Sequence, residues 1–279
     1  MKENNLFIGT CSWKYEDWIG IIYTADNKNY LEEYSKIYNS VEIDQWFWSL
    51  FPNSIVLPKI ETAKGYANSV GDKFKFTIKV PNSITLTHHY KTNIENKNFL
   101  SPELMVKFIE NVLPLENKIG ALMMQFEYLN KQKMESIDKF IDLLQTFFNK
   151  LPKNINYAVE IRNPNYVTKK YFEFLNSAKI GNVFIQGYYM PPIWETFFRF
   201  KDLLNTNVVI RLLGDDRNGI ENITNGKWNS IVVNRDNEIL RINEIIKSLK
   251  IKQVPIFLNI NNHYEGCAPK TIEKIVNLL

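Results

Sequence analysis

The sequence predicts an α/β fold, a single TIM-type (β/α)8 barrel with some irregular helices that takes in residues 1–279 as one barrel domain. Three observations predict it. Eight short apolar runs recur along the chain, segments of helical period lie between most of them, and no linker or shift in composition divides the sequence. Hydrophobic residues make up 45% of the 279, enough to fill one large barrel or two ordinary domains. The unbroken alternation favours the barrel, with an open doubly wound sheet as the competing arrangement.

The strand runs are residues 7–11, 40–43, 74–80, 120–126, 157–162, 182–186, 208–212 and 255–259. Tyr30, Leu31, Tyr34, Ile37 and Tyr38 form the first helical stripe. Leu104, Met105, Phe108, Ile109 and Val112 form the next, behind a Ser101-Pro102-Glu103 start signal. Ile137, Phe140, Ile141, Leu144, Phe148 and Leu151 make a third, and Thr168 is placed to cap a short helix through Tyr171, Phe172 and Leu175. Ile239, Ile242, Ile245, Ile246 and Leu249 mark the helix before the last strand. The final helix begins near Pro269, with Ala268 expected at its N-cap. Residues 52–72 and 188–206 carry no clear pattern, and 214–219 read as a turn.

Alternation within each strand separates an outer face, under the helices, from an inner one. Val41 and Ile43 belong outside and leave Glu42 inside. Phe76 and Ile78 leave Thr77 and Lys79, Val159 and Ile161 leave Ala158, Glu160 and Arg162, and Ile210 and Leu212 leave Arg211. Weaker patterns point Gln125, Gln186 and Asn259 inward. These polar residues lie toward the C-terminal ends of their strands, where barrel enzymes carry their chemistry.

In order, Gly9-Thr10-Cys11-Ser12-Trp13, Val41-Glu42-Ile43, Phe76-Thr77-Ile78-Lys79-Val80-Pro81, Gln125-Phe126, Ala158-Val159-Glu160-Ile161-Arg162 and Asn261-Asn262-His263-Tyr264-Glu265-Gly266 resemble the successive motifs of the YecE-like family, domain of unknown function 72. The resemblance implies a TIM-type barrel and no particular reaction, since the family's activity is not established. The chain departs from the family pattern at Asp44-Gln45-Trp46-Phe47-Trp48, where Asn-Ser-Thr-Phe-Tyr is common. It departs again at Leu213, where His is common, and at Glu127-Tyr128, which replaces Pro-Pro. These changes alter the mouth of the barrel and not its scaffold.

Glu42 and Glu160 are the natural acid/base pair, because a carboxyl group in a partly closed mouth has its pKa raised. The alternative is a structural ion pair with Lys79, Arg162 or Arg211. Strands two and five face each other across a barrel, which suggests the water-admitting carboxyl spacing of roughly 6.5 to 9.5 Å. Three cations against two carboxylates leave the inner mouth positive, so an anionic ligand is expected. Lys79 and Arg211 would stabilise developing negative charge, and Asn259, Asn261 and His263 would orient the substrate. Gln125, Arg162, Asn262 and Trp13 complete the expected binding set. Gly266, with Ala268 unable to cap the last helix, suggests an anion held there by backbone N–H groups and by Arg211 or Lys270. Trp13, Trp18, Trp46, Phe47 and Trp48 follow the first two strands and either stack on a ligand or pack the loops.

A small anionic substrate, phosphorylated or nucleotide-like, undergoing hydrolysis or rearrangement is the expected function. The alternatives are a nucleic-acid binder using the basic, aromatic mouth and a barrel without activity. A net charge of +4 is too small to announce a nucleic-acid coat. His263 with Glu42, Asp44 or Glu160 is the one combination offering a divalent metal, but no HExxH-like spacing exists, so no metal or cofactor is expected. No run of about 18 apolar residues occurs and Met-Lys-Glu-Asn-Asn leads straight into a strand, so no membrane partner and a cytoplasmic location are expected. Cys11 and Cys267 are accordingly expected as reduced thiols.

Overall fold

A computed structural model describes residues 5–24 and 29–279. The reading of the first four residues therefore lies outside the described part of the chain. Eight strands form one all-parallel sheet: β1 (Leu6–Thr10), β2 (Ser40–Ile43), β3 (Lys75–Lys79), β4 (Ile119–Gln125), β5 (Tyr157–Glu160), β6 (Gly181–Gly187), β7 (Val208–Gly214) and β8 (Ile256–Ile260). Around the sheet the order is β1-β8-β7-β6-β5-β4-β3-β2, so each strand neighbours the next in sequence and β8 returns to β1. That is the nearly closed barrel expected, and it excludes the open doubly wound sheet, whose strand order reverses at a switch point.

The helices are α1 (Tyr30–Ile37), α2 (Ile60–Asn68), α3 (Asn82–Thr85), α4 (Pro102–Val112), α5 (Ile137–Asn149), α6 (Lys169–Ser177), α7 (Ile193–Phe200), α8 (Arg217–Thr224), α9 (Asp236–Ile251) and α10 (Ala268–Val276). Their starts follow local chemistry. The side chains of Ser101, Ser136, Thr168 and Asp216 accept hydrogen bonds from the N–H groups of Leu104, Lys139, Tyr171 and Gly219, taking up donors that have no partner inside the helix. Two helices, α2 and α7, arise in the stretches that carried no clear pattern. The first buries only Ala63, and the second is too densely apolar to show a clean stripe. The turn expected at 214–219 ends sooner than read, because Asp216 caps α8 and the chain turns helical at Arg217.

Helical stripes cover the outer strand faces: Met105, Phe108 and Val112 on α4, and Phe140, Leu144 and Phe148 on α5, are buried there with Phe76, Ile78, Val159 and Ile210. Inside, the N-terminal end of the barrel is plugged by Phe7, Ala121, Met123, Ala158, Val183, Val209 and Phe257, with the Phe7 and Phe257 rings stacked at 5.0 Å. Glu42, Lys79, Gln125 and Glu160 accordingly lie in the C-terminal halves of their strands. Gln186 is the exception to the inward sorting. Val183 and Ile185 face in, so alternation turns its amide outward to Glu238 of α9 and to the Ile193 N–H, and the register between β6 and β7 shifts only after it.

One joint of the barrel is not an ordinary ladder. Between β1 and β2 the backbones share a bridge at Cys11 and Glu42, with the Ser12 N–H donating to the Glu42 carbonyl at 3.1 Å. Below it side chains complete the seam. The Asn39 amide accepts from the Ile8 N–H and donates to the Leu6 carbonyl, and the Tyr34 hydroxyl accepts from the Thr10 N–H at 2.8 Å and donates to the Ser40 carbonyl at 3.1 Å. A Cβ on Gly9 would lie 1.8 Å from the Ser40 oxygen, so only glycine lets the strands approach here. Tyr34→Phe strands the buried Thr10 N–H and should cost about 1 to 3 kcal/mol. Urea unfolding at an unchanged m-value measures that cost, and an unmoved midpoint would show that the seam does not depend on the hydroxyl.

Candidate functional site

The inward charges of β2, β5 and β7 meet in one buried network. Arg211 donates to Glu42 through Nε and Nη2, both at 2.7 Å, and to Glu160 Oε2 through Nη1 at 2.6 Å. Arg162 holds the other Glu160 oxygen through Nε at 2.9 Å and Nη2 at 2.6 Å. Both arginines also reach Gln125 Oε1, at 3.4 and 3.3 Å. Glu42, Glu160 and Arg211 are 0, 1 and 4% exposed, which places the network under the mouth rather than in it.

Burial pushes the Glu160 carboxyl up, but Arg211, then Arg162 and Lys79, outweigh it and hold the group at about 2. Burial likewise pulls the Arg211 guanidinium down, and Glu160 and Glu42 more than reverse it. Glu160 is therefore an ionised acceptor with both oxygens taken. The space that a water would need between Glu42 and Glu160 is occupied by the Arg211 guanidinium. The geometry takes the ion-pair alternative over the acid/base pair.

Above the network lies a cavity of about 380 Å³ lined by Asp44, Lys79, Gln125, Arg162, Arg211, Arg217, Asn261 and His263, with Phe47, Trp48, Tyr188 and Leu213 as its apolar wall. Lys79, the last residue of β3, makes no hydrogen bond or ion pair with any described residue; its ammonium sits 4.1 Å from the centre of the Phe47 ring. Burial and the neighbouring Arg211 push its pKa down, against partial opposition from Glu42, Glu160 and Asp44. Asp44 moves the other way. Burial and Glu42 raise its carboxyl above the usual aspartate range despite Lys79 and Arg211.

His263 reaches the cavity with both ring nitrogens engaged, Nδ1 against Asn261 Oδ1 and Nε2 against Glu221 at 2.9 Å. Burial lowers its pKa and Glu221 only partly restores it. A proton-transfer role for His263 would first require that contact to break.

Several expected binding residues lie elsewhere. Trp13 is buried edge-on against Tyr66, outside the mouth. Asn259 is fully buried beneath it, donating to Thr77. Asn262 is spent on the last helix, where its Oδ1 accepts from the Ala268 N–H at 2.8 Å; Ala268 is the first helical residue and Cys267 the N-cap. Gly266 packs on Ser230 and Val232. The buried Glu265 carboxylate closes this corner, accepting from the Arg235 N–H, the Thr271 hydroxyl and Lys274. An anion site at α10 is thus corrected: an acceptor of this chain already caps the helix, an acidic side chain fills the corner, and Arg211 is committed to Glu42 and Glu160. Among the described residues no group of three or more His, Cys, Asp or Glu is arranged to hold a metal ion. No described helix is long and apolar enough to cross a membrane. Both cysteines are free and buried, and burial together with Glu42 pushes the Cys11 thiol well up.

Sequence reasoning missed Tyr188 and Arg217. Tyr188 stacks on the Arg162 guanidinium at 4.7 Å from a backbone in which Gly187, Tyr188 and Tyr189 all have positive φ. Arg217 lies just past β7, in the stretch read as a turn.

The motif order and this geometry coincide with a family model, "Protein of unknown function DUF72", that matches residues 7–279. The chain belongs to the DUF72 family. The UPF0759 protein YecE of Escherichia coli K12 is 25% identical over 165 residues, 59% of this chain and 51% of its own length, so the chain spans about half the length of the curated relatives it matches. DUF72 proteins of Enterococcus faecalis and Thermotoga maritima share the fold with TM-scores of 0.70 and 0.69 at 19% and 18% identity. The alignments cover 98% of this chain and 95% and 98% of theirs. The departures from the DUF72 pattern have distinct fates. Asp44, Gln45, Trp48 and Leu213 line the mouth, Trp46 stacks on Tyr66, and Glu127 ties two loops together through Thr87 and Lys133.

The low pKa of Glu160 has a testable sign. A carboxyl held at about 2 when folded and near 4.5 when free contributes stability above the higher value and loses it as pH falls toward the lower. Glu160→Gln should be less stable than wild type by about 3 to 5 kcal/mol near pH 6, where it leaves buried arginines unneutralised. The difference should shrink by pH 3, where the unfolded wild-type chain has bound a proton at this carboxyl that the folded protein has not. Urea titrations at both pH values measure it, and a gap independent of pH would show that Glu160 is not held ionised by the network.

Proposed function

We propose that the C-terminal mouth binds a small anionic ligand and that the protein is an enzyme acting on it by acid/base chemistry. The observation that carries this reading is the imbalance of the lining: Lys79, Arg162, Arg211 and Arg217 face the cavity with Asp44 as the one lining carboxylate among the described residues. Glu42 and Glu160 are turned to Arg211 and Arg162 and make no bond to Lys79 or Arg217 among the described residues. Donors remain unspent on Lys79 and on Arg162 Nη1. The cavity's volume falls in the range of small-molecule sites rather than that of a groove tracking a strand. Phe47, Trp48 and Tyr188 offer aromatic faces beside the charge, which suits a phosphorylated compound with a flat portion, such as a nucleotide.

Acid/base work falls on Lys79 and Asp44 in this reading. Their surroundings drive the two pKa values toward each other, so that one mouth holds an ammonium that gives up its proton more readily and a carboxyl group that holds its proton more tightly than usual. Hydrolysis or rearrangement both remain within the reach of such a pair.

Arg211 is the wrong residue to remove as a test, since its loss leaves two buried carboxylates uncompensated. Arg217 is half outside the network, paired at the surface with Glu221. Phosphate should raise the melting temperature of wild type by mass action, by the equivalent of about 2.7 kcal/mol at a hundredfold excess over Kd. Arg217→Ala should weaken phosphate binding about tenfold, the loss of one charged hydrogen bond of roughly 1.5 kcal/mol. Chloride at matched ionic strength is the control, and an equal gain from chloride and phosphate would remove the anion site.

A further inference from the structure

We infer that Lys79 is a nucleophilic amine that condenses with the carbonyl carbon of an anionic aldehyde or 2-oxo acid held in the mouth. This deepens the anion-binding reading and rests on it. Four features of the site lead there. Lys79 ends β3 and opens into the cavity, so its amine faces whatever the cavity holds. Its three donors are unspent among the described residues, although Glu42 and Glu160 lie in the same barrel end. Arg211 and Arg162 have taken all four of those carboxylate oxygens.

The Phe47 ring, 4.1 Å away, strips water from one side of the ammonium, and Arg211 places a second cation on the same floor. A desolvated amine beside another cation is the arrangement that frees a lysine lone pair near neutral pH. The charged groups facing it are Arg211 from β7, Glu42 and Asp44 from β2 and the loop after it, and Glu160 from β5; burial and Arg211 prevail over the three acids. Asp44 supplies the fourth feature, a carboxyl lining the same cavity whose proton is held more tightly than usual.

The chemistry balances with these groups alone. The neutral amine adds its lone pair to the carbonyl carbon, the carbonyl π pair moves to oxygen, and a proton passes from nitrogen to that oxygen to give a carbinolamine. Asp44 protonates the hydroxyl, the C–O bond breaks, and one water leaves as the nitrogen lone pair forms the iminium. Asp44 is left as a carboxylate beside the new cation. Arg162 and Arg217 hold the anionic end of the carbonyl compound, which orients its carbon toward Lys79.

Glyoxylate, a small anionic aldehyde, with cyanoborohydride at pH 7 would convert any iminium into a stable carboxymethyl-lysine that peptide mass spectrometry can place. Lys79 should be labelled about tenfold faster than the exposed lysines, because burial and Arg211 leave more of its amine unprotonated at that pH. Phosphate should slow that labelling alone, and Lys79→Arg should abolish the fast site while the melting temperature stays near that of wild type. Labelling spread evenly, with Lys79 no faster than the rest, would overturn the inference, and phosphate stabilisation surviving in that sample would leave the anion site standing. Fast labelling that phosphate does not slow would also overturn it, because the anionic end would then not be held where the inference places it.

Discussion

Arg211 is the tie on which the upper half of the barrel depends. Four of the five N–H bonds of its guanidinium are spent on Glu42, Glu160 and Gln125, so one side chain joins strands from three positions around the ring. Desolvating three charges is expensive, and such a cluster persists only because nearly every donor and acceptor in it is matched. Arginine suits the position where lysine would not, since a planar fork satisfies two carboxylates at once. Below the network the barrel is apolar, and above it the mouth cavity begins.

That layering sets the character of the mouth. Acidic groups are consumed at the floor by arginines that still expose edges upward, so positive charge remains for the cavity even though the chain as a whole carries only +4. The departures from the DUF72 pattern act on this same surface. Asp44 brings in a carboxyl, Leu213 replaces a common histidine with an apolar wall against Cys11 and Ile185, and Trp48 adds a half-exposed ring. They change the lining of the cavity while leaving Glu42, Glu160, Arg162 and Arg211 in place.

Much of this arrangement could be read from the chain because alternation with period two is a direct readout of barrel sidedness. Glu42, Thr77, Lys79, Glu160, Arg162 and Arg211 all face inward, as their β-branched and aromatic neighbours require. Gln186 faces outward, because Val183 and Ile185 take the inner face of a strand that is apolar on both sides, and such a strand does not reveal its sidedness in the sequence. The pairing of charges was equally hidden: the residues name the candidates, but only their depth decides whether a carboxylate serves a proton or an arginine. Trp13, Asn262 and Gly266 belong to genuine motifs whose work is architectural. Tyr188 sits in a loop and Arg217 at the very start of α8, where neither periodicity nor spacing constrains the direction of a side chain.

The seam between β1 and β2 has a consequence for solubility. By backbone pairing alone this is an open sheet of eight strands with two edges, and exposed edges are templates on which other chains add strands. Here the edges face each other across a gap filled by Asn39 and the Tyr34 hydroxyl, so each hides the other's peptide groups. The protein thereby gains the protection of a closed barrel while leaving part of its circumference unladdered.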